Sequence, residues 1–312
     1  MIQGMQKCPI FVADVYQILP TEHTSAAFQT ISFIDRILKG DSPNQVSDED
    51  LLIKGKPSPL MEKSSRENRL AWNATFHLLT SHNLLNPAGE FRSDLVWDCS
   101  LHCGTMFRSG YAGIRNAFRL GSDRVSEDYR EFPSGFMDYI HPLTPLVNLP
   151  NLLGSEISMQ LGLGSENSLF YSESSGAMAL VDAFRNLNLL VSQLSLVVSA
   201  HAFGPHCLEL YAANWEKLNQ AENRWMPVEA GAALLMGTEN GLLQAGLVPK
   251  LCLHKVEIIH KSADYNWSGC GNGLCVEPLL YLYSVLNSSE SSGCVSIDHL
   301  DGAILNLEWE RV

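Results

Sequence analysis

The run Ser172-Glu173-Ser174-Ser175-Gly176-Ala177-Met178 constrains this chain more than any other segment. Before it stands the short apolar stretch 167–172, which reads as a strand, and after it residues 175–190 repeat apolar side chains at helical spacing. Small residues between a strand and a helix allow a sharp turn that presents one side chain at the helix N-terminus. A second apolar strand pattern at 194–200 completes a β-α-β unit. Backbone N–H groups and the helix dipole at such an elbow stabilise a thiolate or a developing oxyanion. The residue on the crest therefore decides which chemistry is open to it.

The rest of the chain alternates in the same way. Strands are expected at 9–14, 94–101, 231–236, 251–260, 294–298 and 303–309, and helices at 26–38, 66–79, 111–120, 146–161 and 276–286. Proline- and serine-rich loops are expected at 41–59 and 121–145. This is an α/β pattern without short repeats or low-complexity segments.

Charge and composition remove several function classes. A formal net charge of −13 in 312 residues leaves no basic surface for a phosphate backbone, so no nucleic-acid partner is expected. It also disfavours direct docking of an acidic carrier protein, which would sit better on a basic partner subunit. The apolar run 189–200 is broken by Ser and Gln, short of the roughly 20 residues of a bilayer span. Residues 1–9 lack a signal-peptide pattern, so a cytoplasmic location is expected. Eight cysteines are spaced neither as a disulfide framework nor as a zinc ribbon; Cys99 and Cys103 around His102, and Cys270 with Cys275, lack the CxxC spacing of metal half-sites. No metal and no cofactor are expected.

Read in order, several motifs resemble the β-ketoacyl synthase (thiolase-like) family. They are Pro142-Leu-Thr-Pro-Leu-Val-Asn-Leu-Pro-Asn-Leu-Leu153, Gly162-Leu-Gly164, the Ser-Glu-Ser-Ser-Gly-Ala elbow with Ala183, and Pro227-Val-Glu-Ala-Gly-Ala-Ala233, similar to the family's Pro-Gly-Glu-Gly-Ala strand. The resemblance runs from Pro9 to about His260 and resumes in the C-terminal strands. It implies a layered αβαβα thiolase-like fold with a shortened C-terminal half, built as one ketosynthase-like domain with a first half over 1–200 and a reduced second half over 201–312.

Carried over residue by residue, the family's nucleophilic cysteine falls on Glu173, and a carboxylate cannot replace the thiolate on which the acyl chain is loaded. One family histidine stands in a His-Gly-Thr-Gly-Thr motif, yet none of the ten histidines here is followed by Gly. The other would fall near Gly271-Asn272, where Asn272 stands instead, and the segment between His260 and Gly269 is short of the loop that should carry the first. The resemblance therefore implies a non-catalytic chain-length-factor subunit, of a type II polyketide or fatty-acid-like, aryl-polyene-type system. An active ketosynthase would be its partner, and acyl carrier protein would reach the complex through that partner. Pairing would use the strand Asn167, Ser168, Leu169, Phe170, Tyr171 and Ser172. Met106, Phe107, Tyr111, Ile114 and Phe118 would be candidates to line or gate the partner's acyl tunnel, although their near-helical spacing equally fits ordinary core packing.

Alternatives stay open at this point. An acidic residue in a helix's first turn is favoured by the macrodipole, so Glu173 fits a purely structural role as well. A ketosynthase-like malonyl-carrier decarboxylase is a second reading. A third is a serine hydrolase on Ser174, since Ser172-x-Ser174-x-Gly176 resembles a degenerate elbow followed by Asp264 and His299 in α/β-hydrolase order.

Overall fold

A computed structural model describes residues 9–20, 46–55, 64–106, 152–202, 228–260, 274–299 and 301–312. In chain order its elements are β1 (Ile10–Ile18), α1 (Arg66–Ser81), β2 (Cys99–Thr105), α2 (Leu152–Leu161), β3 (Asn167–Tyr171), α3 (Ser175–Asn188), β4 (Leu194–His201), β5 (Ala230–Thr238), α4 (Glu239–Ala245), β6 (Leu251–His260), α5 (Glu277–Leu286), β7 (Ser292–Asp298) and β8 (Ala303–Arg311).

The eight strands form one mixed sheet in the order β3-β2-β4-β5-β1-β6-β8-β7. At one end β3, β2 and β4 run parallel, as the β-α-β reading requires, with β2 lying between the two strands that α3 connects. From β4 onward every neighbour is antiparallel.

Strand alternation divides the core into two clusters. Leu196, Val198, Ala233 and Leu235 face a cluster built with Leu70, Trp72, Leu78 and Ile157, from α1 and α2. Val197, Ala232, Leu234 and Met236 face the other, built with Ala177, Leu180 and Ala183 of α3, Leu279 and Leu282 of α5, and Leu253, Leu305 and Trp309 of β6 and β8. Helix α3 thus packs on β2, β3 and β4 and also reaches β6, so the sheet curls around it. Among the described residues the layers run helix, sheet, helix, sheet. On the far face of β6 and β8, Lys255, Glu308 and Glu310 are exposed.

Most expected elements form within two or three residues of their expected ends, and β1 runs on to Ile18. The strand expected at 94–101 is corrected. Residues 94–98 make tight turns, with Leu95 N–H bonded to the Arg92 carbonyl and Asp98 N–H to that of Leu95, and the strand starts only at Cys99. The apolar trio Leu95-Val96-Trp97 looks strand-like, but Leu95 is buried while Trp97 stands 74% exposed, and an Arg92–Asp94 ion pair tightens the turn. Helix α4 was not foreseen, although its signals stand in the sequence: the Thr238 side chain accepts from Gly241 N–H, and Gly246 closes the helix at φ 75°. The helices expected at 26–38 and 111–120 lie outside the described residues.

Candidate functional site

The elbow sits where α/β proteins place their sites, at the carboxyl ends of the parallel strands β2, β3 and β4. Its small residues are dictated by contacts from three sides. A Cβ on Gly104, at the end of β2, would come within 2.6 Å of the Gly176 nitrogen; a Cβ on Gly176 would come within 1.8 Å of the Cys275 carbonyl oxygen. The Ser199 hydroxyl bonds the carbonyls of Gly104 and Cys275, at 2.9 and 3.0 Å, and Ser175 donates to the Thr105 carbonyl at 3.0 Å. Strand, helix and the short 3-10 turn Leu274–Val276 are thereby locked together under the elbow.

Ser172 makes the turn: its hydroxyl accepts the Ser174 N–H at 3.2 Å, and its carbonyl accepts the Ser175 N–H. Glu173 occupies the crest, half-buried. Burial raises its carboxyl above the usual carboxylate range, and the nearby Asp301 charge raises it further, against the pull of its own backbone N–H. Ser174, fully buried, donates its hydroxyl to Asp301 Oδ2 at 2.6 Å. His299 is buried too, and burial holds its imidazole below the usual histidine range. The Asp301 charge, the Glu173 backbone and the Asp298 charge pull the other way, and Nε2 of the ring has no hydrogen-bond partner among the described residues.

This geometry does not favour the hydrolase reading. The Ser174 hydroxyl meets Ser172 and Asp301, and the Nε2 of His299 makes no hydrogen bond to the serine or to any other group among the described residues. Asp264 lies outside the described residues, as do Asn272, Phe107, Tyr111, Ile114 and Phe118. Met106, the described tunnel candidate, is 3% exposed and packs into the core cluster around α3.

The pairing candidates Asn167 to Tyr171 form the edge strand β3, bonded on one side to β2, and Ser172 follows it. Their side chains are half-buried to exposed, and Tyr171 is 38% exposed. Behind this edge lies a buried polar chain absent from the sequence reading. His102 places Nδ1 within 2.8 Å of Ser168 and 3.0 Å of Asp182, and Nε2 within 2.9 Å of Ser100, whose hydroxyl continues to Ser195 at 2.7 Å and Ser192 at 2.9 Å. The hydrogen bond from His102 holds the Asp182 carboxyl below its usual range. Alternation along β2 was the available signal, since Ser100, His102 and Gly104 share the face toward α3 whereas Cys99, Leu101 and Cys103 face α1 and α2. Those two thiols are inert through burial, which pushes Cys99 up to about 12 and Cys103 higher still.

No protein-family profile matches the sequence, and no curated protein does either. Solved structures do resemble the fold. A chain of a type II polyketide synthase acyl-carrier protein–ketosynthase complex aligns over 98% of this chain and 100% of its own, with TM-score 0.70 at 13% identity. The ishigamide ketosynthase/chain length factor aligns over 97% and 99%, with TM-score 0.59 at 13% identity. A ketosynthase in complex with its chain length factor from Xenorhabdus doucetiae aligns over the full length of both chains, with TM-score 0.59 at 12% identity. The chain therefore has the thiolase-like fold of the ketosynthases. In that fold its crest residue is Glu173.

Proposed function

We propose that this chain is a non-catalytic, chain-length-factor-like subunit that pairs with an active β-ketoacyl synthase and helps shape its acyl tunnel in type II polyketide or aryl-polyene-type biosynthesis. The observation that carries the reading is the crest of the elbow: a half-buried carboxyl, raised above its usual range, in place of a thiol. A carboxyl group lacks the soft, polarisable sulfur that takes an acyl chain from a thioester. Two of the structures it resembles are ketosynthases with chain length factors, which supports a partner role. An uncharged, five-residue edge strand is the surface such pairing would use, since it offers a row of backbone groups without the charges that block edge-to-edge association. Acyl carrier protein would then dock on the more basic ketosynthase.

The test is acyl transfer. Incubated with radiolabelled acyl carrier protein, the co-purified complex should carry label on the ketosynthase and none on this chain. Stable label mapping to this chain overturns the assignment, and malonyl-carrier decarboxylation by this chain alone would replace it with the decarboxylase reading.

A further inference from the structure

The turn between β7 and β8 reaches the elbow and holds Ser174 through both its backbone and its side chain. Asp301 Oδ2 accepts both the backbone N–H of Ser174, at 3.2 Å, and its hydroxyl, at 2.6 Å; Oδ1 is fixed by the Ala303 N–H at 3.1 Å. His299, two residues before Asp301, is 3% exposed. The turn itself is closed by His299 N–H on the Ala303 carbonyl and Gly302 N–H on the His299 carbonyl, at 2.8 and 3.0 Å. Helix α3 runs for 14 residues, and Ser174 gives it no side-chain cap. A negative charge at that terminus is stabilised by the helix dipole and the free N–H groups. Here it is supplied from a different element, 127 residues along the chain.

We propose that Asp301 is the elbow's built-in anion and acts as an autoinhibitory latch: its carboxylate fills the charge-stabilising place that an ionised nucleophile or an oxyanion at the head of α3 would need. The latch rests on the elbow contacts alone and holds whether or not the chain pairs with a ketosynthase. It adds a second block beside the missing thiol. A cysteine placed on the crest would face a resident carboxylate instead of bare N–H groups, and like charges disfavour each other's ionisation.

The experiment places the reporter on the crest. Full-length Glu173→Cys and Glu173→Cys/Asp301→Asn are alkylated with iodoacetamide across a pH series, and the rate is read by mass spectrometry on the peptide carrying residue 173. With Asp301 in place the thiol should titrate at or above the ordinary value of about 8.5. With Asp301→Asn it should titrate at least a unit lower, so that roughly tenfold more thiolate is present at a fixed pH below both values. Asp298→Asn in the same background removes a neighbouring charge that makes no hydrogen bond to Ser174 and should leave the curve in place. Coincident curves with and without Asp301, or an equal shift from Asp298→Asn, overturn the latch. If the double variant does not fold, Asp301→Ala in the wild-type background serves instead. Its melting temperature should rise with formate relative to chloride at equal ionic strength, whereas the unsubstituted protein should not respond. An equal response from both overturns the proposal.

Discussion

Gly176 lies so close to Cys275 that a Cβ on the glycine would stand 1.8 Å from the Cys275 carbonyl oxygen and 3.0 Å from the Ser199 hydroxyl. Both obstacles are themselves fixed, since the Ser199 hydroxyl bonds the Cys275 carbonyl at 3.0 Å and the Gly104 carbonyl at 2.9 Å. The elbow glycine is therefore a packing requirement of the site.

Gly176→Ala should consequently be among the most damaging single-methyl additions in the chain, costing about 3 kcal/mol or preventing soluble expression. Gly154→Ala is its control. There the new methyl would meet only the Cys103 sulfur at an ordinary 3.9 Å, inside α2, and the gain in helix propensity should leave the protein unchanged or up to about 1 kcal/mol more stable. Thermal melts of the two variants decide the point; equal effects would contradict the packing account.

Glu229, fully buried, receives Arg66 Nε at 2.9 and 3.0 Å on its two oxygens and the Val46 N–H at 3.0 Å. Arg66 also holds Asp48 and the Val46 carbonyl, so the segment before α1 is tied to the strand motif around Pro227-Val-Glu-Ala-Gly. Arg66→Met should remove the guanidinium that bonds both oxygens of this buried carboxylate and cost on the order of 3–5 kcal/mol. The double variant Arg66→Met/Glu229→Gln should recover much of that loss. Denaturant midpoints of both variants are the measurement, and a double variant no better than the single would refute the charge explanation.

A pH dependence follows from Glu156, which is 1% exposed on α2 and bonds Asn68 Nδ2 through Oε2 at 3.0 Å while Oε1 has no partner. Burial raises its carboxyl to about 7, against the hydrogen bond from Asn68. A raised acid is protonated in the fold while it is already ionised in the unfolded chain, so folding takes up a proton between about 4.5 and 7. Its stabilising contribution is complete below the unfolded value and is lost as pH rises through about 7, a change on the order of 3 kcal/mol. Glu156→Gln keeps an acceptor for Asn68 and should flatten the stability profile over that window, raising the melting temperature at pH 8 more than at pH 5. Parallel profiles for the two proteins would exclude Glu156 as the source.

Much of the fold was legible because its signals are local. The apolar runs at β4, β5 and β6 and the helical spacing of α1, α3 and α5 lie within a dozen or so residues, and the small residues Ser174 to Ala177 announce a tight turn by their size alone. The crest residue could be read directly because the elbow numbers its own positions. Asp301 could not be placed on the site, since nothing near it signals that the β7–β8 turn folds back onto the head of α3, and His299 entered the hydrolase reading only through its order in the chain. The strand at 94–101 misled for the opposite reason. Its apolar residues satisfy the local pattern, while the turn is set by Arg92 and by the carbonyl of Asp98, which accepts from Gln193 and Leu194 N–H far along the chain.

The edge strand carries the last prediction. In β3, Leu169 and Phe170 lean into the two cores, but Asn167 and Tyr171 at its ends are exposed, and no charge occurs in the five residues. A short neutral edge accepts a partner strand, whereas a lysine on it is a standard obstacle to edge-to-edge pairing. Tyr171→Lys combined with Asn167→Lys should therefore leave the fold intact, with stability within about 0.5–1 kcal/mol, because neither side chain is buried. The same pair of changes should weaken assembly with a co-expressed ketosynthase by tenfold or more, read as loss of the complex on size-exclusion chromatography with light scattering. Expressed alone, the unsubstituted chain should aggregate through the same uncovered face and be rescued by co-expression. A lysine variant that still co-purifies at full yield would move the interface away from β3. A well-behaved monomer that gains nothing from co-expression would count against the partner role itself.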